Sequence, residues 1–188
     1  MKYFKILSLL AIAAAVSMAF AASASADYVA TTTGGATAEP TIHAVNESTH
    51  VVIANSIANI ECQSTVEGKA EKDGAQVSGK ISTLAFTGCT NSWHVTTNAT
   101  GSLSVDYSGE HNGDVISNGA NVTTTRFGVT CNYETNGTTI GTLTGGSNAT
   151  LDIEAKIPIA AGSSFLCGSG SAKWEGSYVT TSPLYVEP

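Results

Sequence analysis

The feature that most constrains the fold is a strict alternation of apolar and polar residues from Ala149 to Ile159. Apolar side chains occupy every second position, and threonine or charged residues occupy most of the positions between them. A period of two places the apolar side chains on one face of an extended strand and the others on the opposite face. The chain must therefore build a sheet with one buried face. Pro158 cannot donate to a ladder and predicts an edge or a bulge at the far end of the strand.

Shorter runs with the same alternation occur at Leu103–Tyr107 and Val129–Tyr133. The segment Glu47–Ile60 is rich in β-branched residues, which favour one or two strands over a helix. Turn signals separate the runs and predict tight hairpins, because Asn, Asp and Gly tolerate a positive φ. These signals are Lys72-Asp73-Gly74, His111-Asn112-Gly113, Asn118-Gly119 and Asn136-Gly137. We predict an all-β, antiparallel single domain, either a sandwich or a barrel.

The N-terminus has the three parts of a secretory signal peptide: two lysines, an apolar run and the small-residue site Ala24-Ser25-Ala26. The run from Ile6 to Ala22 has about 17 residues, the lower limit for a transmembrane helix, so an uncleaved anchor is disfavoured. We predict a signal peptide at residues 1–26, a Thr- and Gly-rich extended arm at 27–40 and a β-rich domain at 41–188. The protein is then secreted, extracellular or at the cell surface, without stable membrane insertion after cleavage.

The charge of the chain excludes one class of partner. Without the leader, six basic residues face 15 acidic ones, which gives a net charge of −9, and Arg126 is the single arginine. Such a surface repels phosphate backbones, so we expect no nucleic-acid partner. Electrostatic docking on anionic lipid is disfavoured for the same reason.

Export makes the four cysteines, Cys62, Cys89, Cys131 and Cys167, candidates for disulfide bonds. Four cysteines allow three pairings, and the sequence does not choose between them. We favour Cys62–Cys89 with Cys131–Cys167, because each pair would staple one compact stretch of strands. A zinc site is disfavoured because no Cys-x-x-Cys pair occurs, and no metal or other cofactor is predicted.

Motifs of catalysis are absent from the sequence, including a Gly-x-Ser-x-Gly elbow, a His-Glu-x-x-His helix and a phosphate-binding glycine loop. We therefore predict no enzyme and no catalytic residues. A triad assembled by the fold stays open, with His94 as its candidate base. The carboxylates Asp152 and Glu154 lie on one predicted strand face, where contact with water is their simplest role. Asp106, Glu110 and Asp114 surround a predicted turn but match no calcium-loop spacing.

Aromatic residues supply the candidate binding site. Trp93, Trp174 and Tyr178 could form a platform that stacks on sugars or covers an apolar ligand. The alternative is that these rings are core residues or cross-strand partners, as most aromatic residues of β proteins are.

At the level of families, the chain resembles small secreted bacterial proteins known as protein activators of alkane oxidation. The resemblance spans roughly residues 50–180 and rests on Ile60-Glu61-Cys62, the segment Gly79–Cys89, Cys167-Gly168 and the region of Trp174. It implies an exported, non-catalytic β protein of the extracellular or biofilm-matrix setting, linked to growth on hydrophobic substrates. No functional residue carries over from the family.

These observations give one leading hypothesis and two alternatives. The first is a structural or adhesive protein of the extracellular matrix, biofilm or cell surface that associates with itself or with other matrix components. In that hypothesis the arm at 27–40 can add as a strand to the sheet edge of a neighbour. The second is a binding module for an apolar, alkane-like or a carbohydrate ligand. The third, a secreted hydrolase, requires His94 to be buried beside a serine and an aspartate.

Overall fold

The computed structural model describes residues 28–34, 40–46, 50–73 and 76–188. The predicted signal peptide at 1–26 lies outside the described residues, and the predicted arm is described only at residues 28–34 and 40. The described chain is all-β, as predicted, with two single-turn 3₁₀ helices at Thr90–Ser92 and Phe165–Cys167. The strands are β1 (Tyr28–Ala30), β2 (Thr41–Asn46), β3 (Val51–Ala54), β4 (Asn59–Asp73), β5 (Gln76–Thr87), β6 (His94–Ala99), β7 (Ser102–Gly109), β8 (Asn112–Asn118), β9 (Asn121–Arg126), β10 (Val129–Glu134), β11 (Thr138–Thr144), β12 (Thr150–Pro158), β13 (Ser171–Thr180) and β14 (Tyr185–Glu187).

The main sheet closes on itself as an antiparallel barrel. Its neighbours run β12-β11-β8-β7-β5-β4-β2-β13, and a ladder between β13 and β12 completes the ring. Strand β3 follows β2 along the chain and, like β2, pairs with β4 on one side and with β13 on the other. The eight-stranded barrel decides the choice between sandwich and barrel that the sequence left open.

Three strands of the main sheet, β7, β8 and β11, are each continued after a short break by a strand of a second sheet. Strands β6, β9 and β10 form a three-stranded sheet in which β9 is central, just as β8 is central between β7 and β11. Along the chain, β6 is followed by β7, β8 by β9 and β10 by β11. In none of these three cases do the two consecutive strands pair with each other. Each couple is therefore one long strand with a kink. The wall follows an up-and-down order along the chain.

Two of the predicted hairpins are kinks in the structure. Asn118-Gly119 and Asn136-Gly137 were expected to reverse the chain, and that expectation is wrong, because both dipeptides lie at strand interruptions. Gly119 has φ +73° and Gly137 has φ +61°. An Asn-Gly dipeptide indicates only that the backbone can adopt a positive φ there. A kink in a strand needs this conformation as much as a hairpin turn does.

The two-residue reversals that are described use other positions. Phe127 and Gly128 have φ of 49° and 79°, and Glu110 and His111 have φ of 51° and 68°. Two successive positive φ values are the geometry of a type I′ hairpin. The second reversal lies one residue before the predicted His111-Asn112-Gly113. A third hairpin forms where predicted, since Asp73 pairs with Gln76, although its tip at 74–75 lies outside the described residues.

The barrel has two dissimilar ends. At the first, here called the disulfide end, the connections are residues 55–58, 88–93, 127–128 and 159–170. Both bonds, Cys62–Cys89 and Cys131–Cys167, lie at this end, and they confirm the favoured pairing. At the other, the terminal end, β1 pairs with β14 in the register Val29↔Val186.

Burial along the wall follows the predicted alternation. On β12, Ile153, Ala155 and Ile157 are buried, and the charged residues between them are exposed. On β4, burial alternates from Ile60 to Ala70. The inward side chains of all these strands fill one continuous core.

Candidate functional site

The barrel interior is a packed core with little free space. One apolar cavity of about 30 Å³ is lined by Tyr133, Ile157 and Trp174, among others. A second, of about 60 Å³, lies nearer the terminal end beside Val105 and Leu184. For comparison, an engineered apolar cavity that binds one benzene has a volume of about 150 Å³. Neither cavity therefore has room for a sugar or a long hydrocarbon chain.

The three aromatic residues predicted as a binding platform lie in or against the core. Tyr178 is fully buried and Trp93 is 6% exposed. Trp174 is half-buried and packs on Phe86, with ring centroids 6.5 Å apart. The structure does not bring the three rings together on an exposed face, and their role in ligand binding stays a prediction.

Tyr178 belongs to a polar cluster inside the wall. Its hydroxyl donates to Oγ of Ser64 at 2.9 Å, and the backbone N–H of Ser64 donates to Oδ1 of Asn46 at 2.6 Å. Burial raises the pKa of Tyr178 to about 12, against a lowering by its hydrogen bond with Ser64. A group held neutral in this way fixes neighbouring strands to one another.

The candidate catalytic and metal-binding residues are not assembled. His94 is exposed at the start of β6, and no hydrogen bond in the described part of the chain joins it to a serine or an aspartate. Asp152 and Glu154 face outward on β12, and Glu154 lies 3.3 Å from Nζ of Lys173. Among residues 28–34, 40–46, 50–73 and 76–188, no three His, Cys, Asp or Glu side chains could hold a metal ion together.

The disulfide end carries the most exposed aromatic side chains of the described chain. Phe127 is 87% exposed at the tip of the β9–β10 hairpin, and Phe165 is 89% exposed in the β12–β13 connection. Leu166 and Ile57 are also exposed at this end, at 47% and 44%. We call this exposed patch of the disulfide end, which consists of Phe127, Phe165, Leu166 and Ile57, the aromatic end. Sequence reasoning missed them, although large apolar residues inside Gly- and Ser-rich connections were a visible signal.

Hydrogen bonds and a disulfide hold these connections to one another. Cys131 on β10 is bonded to Cys167, two residues after Phe165. The backbone N–H of Ser164 donates to the carbonyl of Thr130 at 2.8 Å. Oγ of Ser56, next to Ile57, donates to the carbonyl of Cys167 at 2.9 Å. The exposed apolar side chains are thus carried on a cross-linked support.

The same connections contain no charged residue. Residues 55–58, 88–93, 127–128 and 159–170 consist of apolar, glycine and uncharged polar residues. Arg126 directly precedes Phe127, and its guanidinium lies 4.5 Å from the ring centre of Phe127. In an acidic protein, this leaves one end that can be covered without stripping water from a carboxylate.

No helix in the described part of the chain is long and apolar enough to cross a membrane. Comparison of the chain with protein families, curated proteins and solved structures finds no match.

Proposed function

We propose that this chain is a secreted, non-enzymatic contact protein of the extracellular matrix, biofilm or cell surface, and that it attaches through the aromatic end. The observation that carries the proposal is the exposure of Phe127 and Phe165, at 87% and 89%, on uncharged, cross-linked connections. Two disulfides are also what a protein outside the reducing cytoplasm is expected to contain.

The energetics favour contact with an apolar or uncharged surface. Removing a phenylalanine side chain from water contributes roughly 1.5–3 kcal/mol. The support is already ordered by the Cys131–Cys167 bond and its hydrogen bonds, so little conformational entropy is lost on contact. Two such rings on one rigid end are enough for reversible attachment, and many copies on one surface would make it lasting.

The described geometry supports surface contact over strand addition. The main sheet is a closed ring, and closure removes its free edges, so the edges that remain in the described sheets of the wall are the outer strands β6 and β10 of the three-stranded sheet. Within the predicted arm, Tyr28–Ala30 already pairs with β14 of the same chain, and Ala30 is fully buried. Self-association in this proposal therefore occurs through the aromatic end.

Adsorption to defined surfaces tests the proposal. Residues 27–188 would be passed over methyl-terminated and hydroxyl-terminated monolayers on a quartz microbalance. The F127S/F165S variant is expected to lose most of the adsorption to the methyl surface, and V45S is the control, because Val45 is 39% exposed on the barrel wall instead. Equal adsorption of the wild-type and double-variant proteins would exclude the aromatic end as the contact surface.

An alternative is a binding module for an apolar, alkane-like ligand, which the family resemblance also implies. The observation that favours it is the same exposed aromatic end, since the interior cavities are too small. Sedimentation velocity with and without hexadecane droplets separates the two functions. Association without droplets that F127S/F165S abolishes supports self-association, and a monomer that is depleted only by droplets supports the alternative.

A further inference from the structure

A concave site lies on the outside of the barrel, away from the aromatic end. It is a groove of about 370 Å³ where β2, β4 and β5 run side by side, and its volume falls within the range of about 300–1,000 Å³ that is typical of ligand sites. The polar residues that line it are Thr41, His43, Glu67, Lys69, Lys80 and Ser82.

A β-bulge shapes this groove. Glu67 pairs with Thr83 and Gly68 pairs with Ile81, so Ser82 has no partner in the ladder. Oγ of Ser82 donates to the carbonyl of Glu67 at 3.2 Å. Gly68 is required here, because a Cβ at this position would lie 2.6 Å from the carbonyl oxygen of Lys80. The concavity is therefore built into the backbone and does not depend on side-chain rotamers.

Two lysines lie side by side in the groove. Lys69 and Lys80 are directly opposite each other on neighbouring strands, and both are exposed. Like charges in this position destabilise a sheet. In the described part of the chain, neither lysine forms an ion pair with a carboxylate. The pair is notable because the chain without its leader has only six basic residues.

A second pair of facing lysines lies elsewhere on the barrel wall, where carboxylates offset the repulsion between the two charges. Lys156 and Lys173 are also directly opposite each other, on β12 and β13. There, Lys173 hydrogen-bonds to Glu175 and to Glu154, which raises the pKa of Lys173. In the groove, the carboxylate of Glu67 lies beside His43 instead, and no carboxylate among the described side chains is within ion-pair distance of Lys69 or Lys80. Their charge is therefore available to an external anion.

We propose that the groove binds a carboxylated sugar unit of an acidic polysaccharide, with its carboxylate between Lys69 and Lys80. The remaining groups of the groove suit the hydroxyls of a sugar better than a bare anion. Glu67 accepts hydrogen bonds, Thr41 donates and accepts them, and Nδ1 of His43 lies 3.3 Å from Oε1 of Glu67. A site for a simple inorganic anion gains nothing from a carboxylate in its wall.

This inference is independent of the proposed role of the aromatic end. The two sites share no residue, and they face different surroundings. Together they would let one molecule attach to an apolar or neighbouring surface at its end and to a charged polymer along its side. Each exposed site is weak alone, and a polymer that presents many sugar units gains from multivalency.

An NMR titration tests the inference on residues 27–188. The probe is trigalacturonate, and the matched neutral probe is its fully methyl-esterified form. Amide shifts at Ile42, Lys80 and Ser82 are expected with the first probe and not with the second. K69Q/K80Q should weaken binding about tenfold or more, the loss expected for hydrogen bonds to charged groups.

Two controls make the outcome decisive. K156Q removes an exposed lysine outside the groove and should bind as the wild type does, and so should F127S/F165S. Sodium sulfate, as a bare dianion, should produce much smaller shifts than trigalacturonate. The inference is overturned if the groove amides do not respond, if sulfate matches trigalacturonate, or if K156Q weakens binding as much as K69Q/K80Q does.

Discussion

The two ends of the barrel close the same eight-stranded wall by different means. At the disulfide end, covalent bonds and loop hydrogen bonds join the connections. At the terminal end, β1 and β14 pair across the mouth, and the carboxylate of Glu187 accepts a hydrogen bond from the N–H of Gly34 at 3.1 Å and lies 2.8 Å from Nδ1 of His111.

This difference determines which end is free to make contacts. Covalent closure acts mainly through the unfolded chain, so it does not require the loop side chains to be buried. Phe127 and Phe165 can therefore point outward without weakening the closure. Noncovalent closure requires its apolar residues inside, and Val29 and Val186 at the terminal end are accordingly buried. The end that is cross-linked is thus the one that can present apolar surface.

Removal of the Cys131–Cys167 bond is expected to have the largest effect. In the chain-entropy model, a loop of this size contributes about 4 kcal/mol. The C131A/C167A variant should show a loss of that size in urea denaturation, and its amides at 159–170 should exchange faster than those of β1 and β14. Equal acceleration of exchange at both ends would show that the ends are one cooperative unit and would break the comparison.

The kinks that connect the two ends provide the next largest effect. A Cβ at Gly101, which has φ +64°, would lie 2.4 Å from the backbone nitrogen of Ala120, whereas a Cβ at Gly137, which has φ +61°, meets nothing within 4 Å. We expect Gly101→Ala to cost about 3 kcal/mol and Gly137→Ala about 1 kcal/mol. Thermal denaturation of both variants measures the difference. Equal costs would mean that backbone strain alone, without the close approach, sets the requirement for glycine at Gly101.

The sequence predicted those parts of the fold that depend on local periodicity and covalent chemistry. The alternation on β12 is one example, since it follows from residue type and spacing. The four cysteines predicted disulfide bonds but allowed three pairings, and the structure contains the favoured one. Asn118-Gly119 was misread because a positive φ is a local property, whereas the direction of the following strand depends on its partners. Phe127 and Phe165 were missed because exposure is a tertiary property: the same residues would be unremarkable if a neighbouring loop covered them.

Loss of the Tyr178 hydroxyl is expected to affect both ends equally, because the cluster lies inside the wall between them. Tyr178→Phe leaves Oγ of Ser64 without its donor, which costs about 1–2 kcal/mol. The pKa of Tyr178 is raised from 10.0 to about 12, so the unfolded chain loses this proton first as the pH rises. The stabilisation is complete below pH 10 and falls between pH 10 and 12.

Absorbance at 295 nm during an alkaline titration checks this assignment. Burial also raises the pKa of Tyr133, so the test is the difference between the two proteins: the wild type should ionise one more tyrosine near pH 12 than Tyr178→Phe does. If both proteins show the same absorbance change near pH 12, the polar cluster does not hold Tyr178 neutral.

The smallest effect is expected at the terminal end. Glu187→Gln keeps an acceptor for the N–H of Gly34 but removes the negative charge beside His111, so its cost is about 1 kcal/mol and the expected fall in Tm is about 2–4 °C. Glu154→Gln is the control, because the side chain of Glu154 is 77% exposed. Adsorption through the aromatic end should not change in either variant, since the disulfides hold that end independently. A loss of adsorption in Glu187→Gln would mean that closure of the terminal end controls the contact surface. The two ends would then be coupled, contrary to the comparison between them.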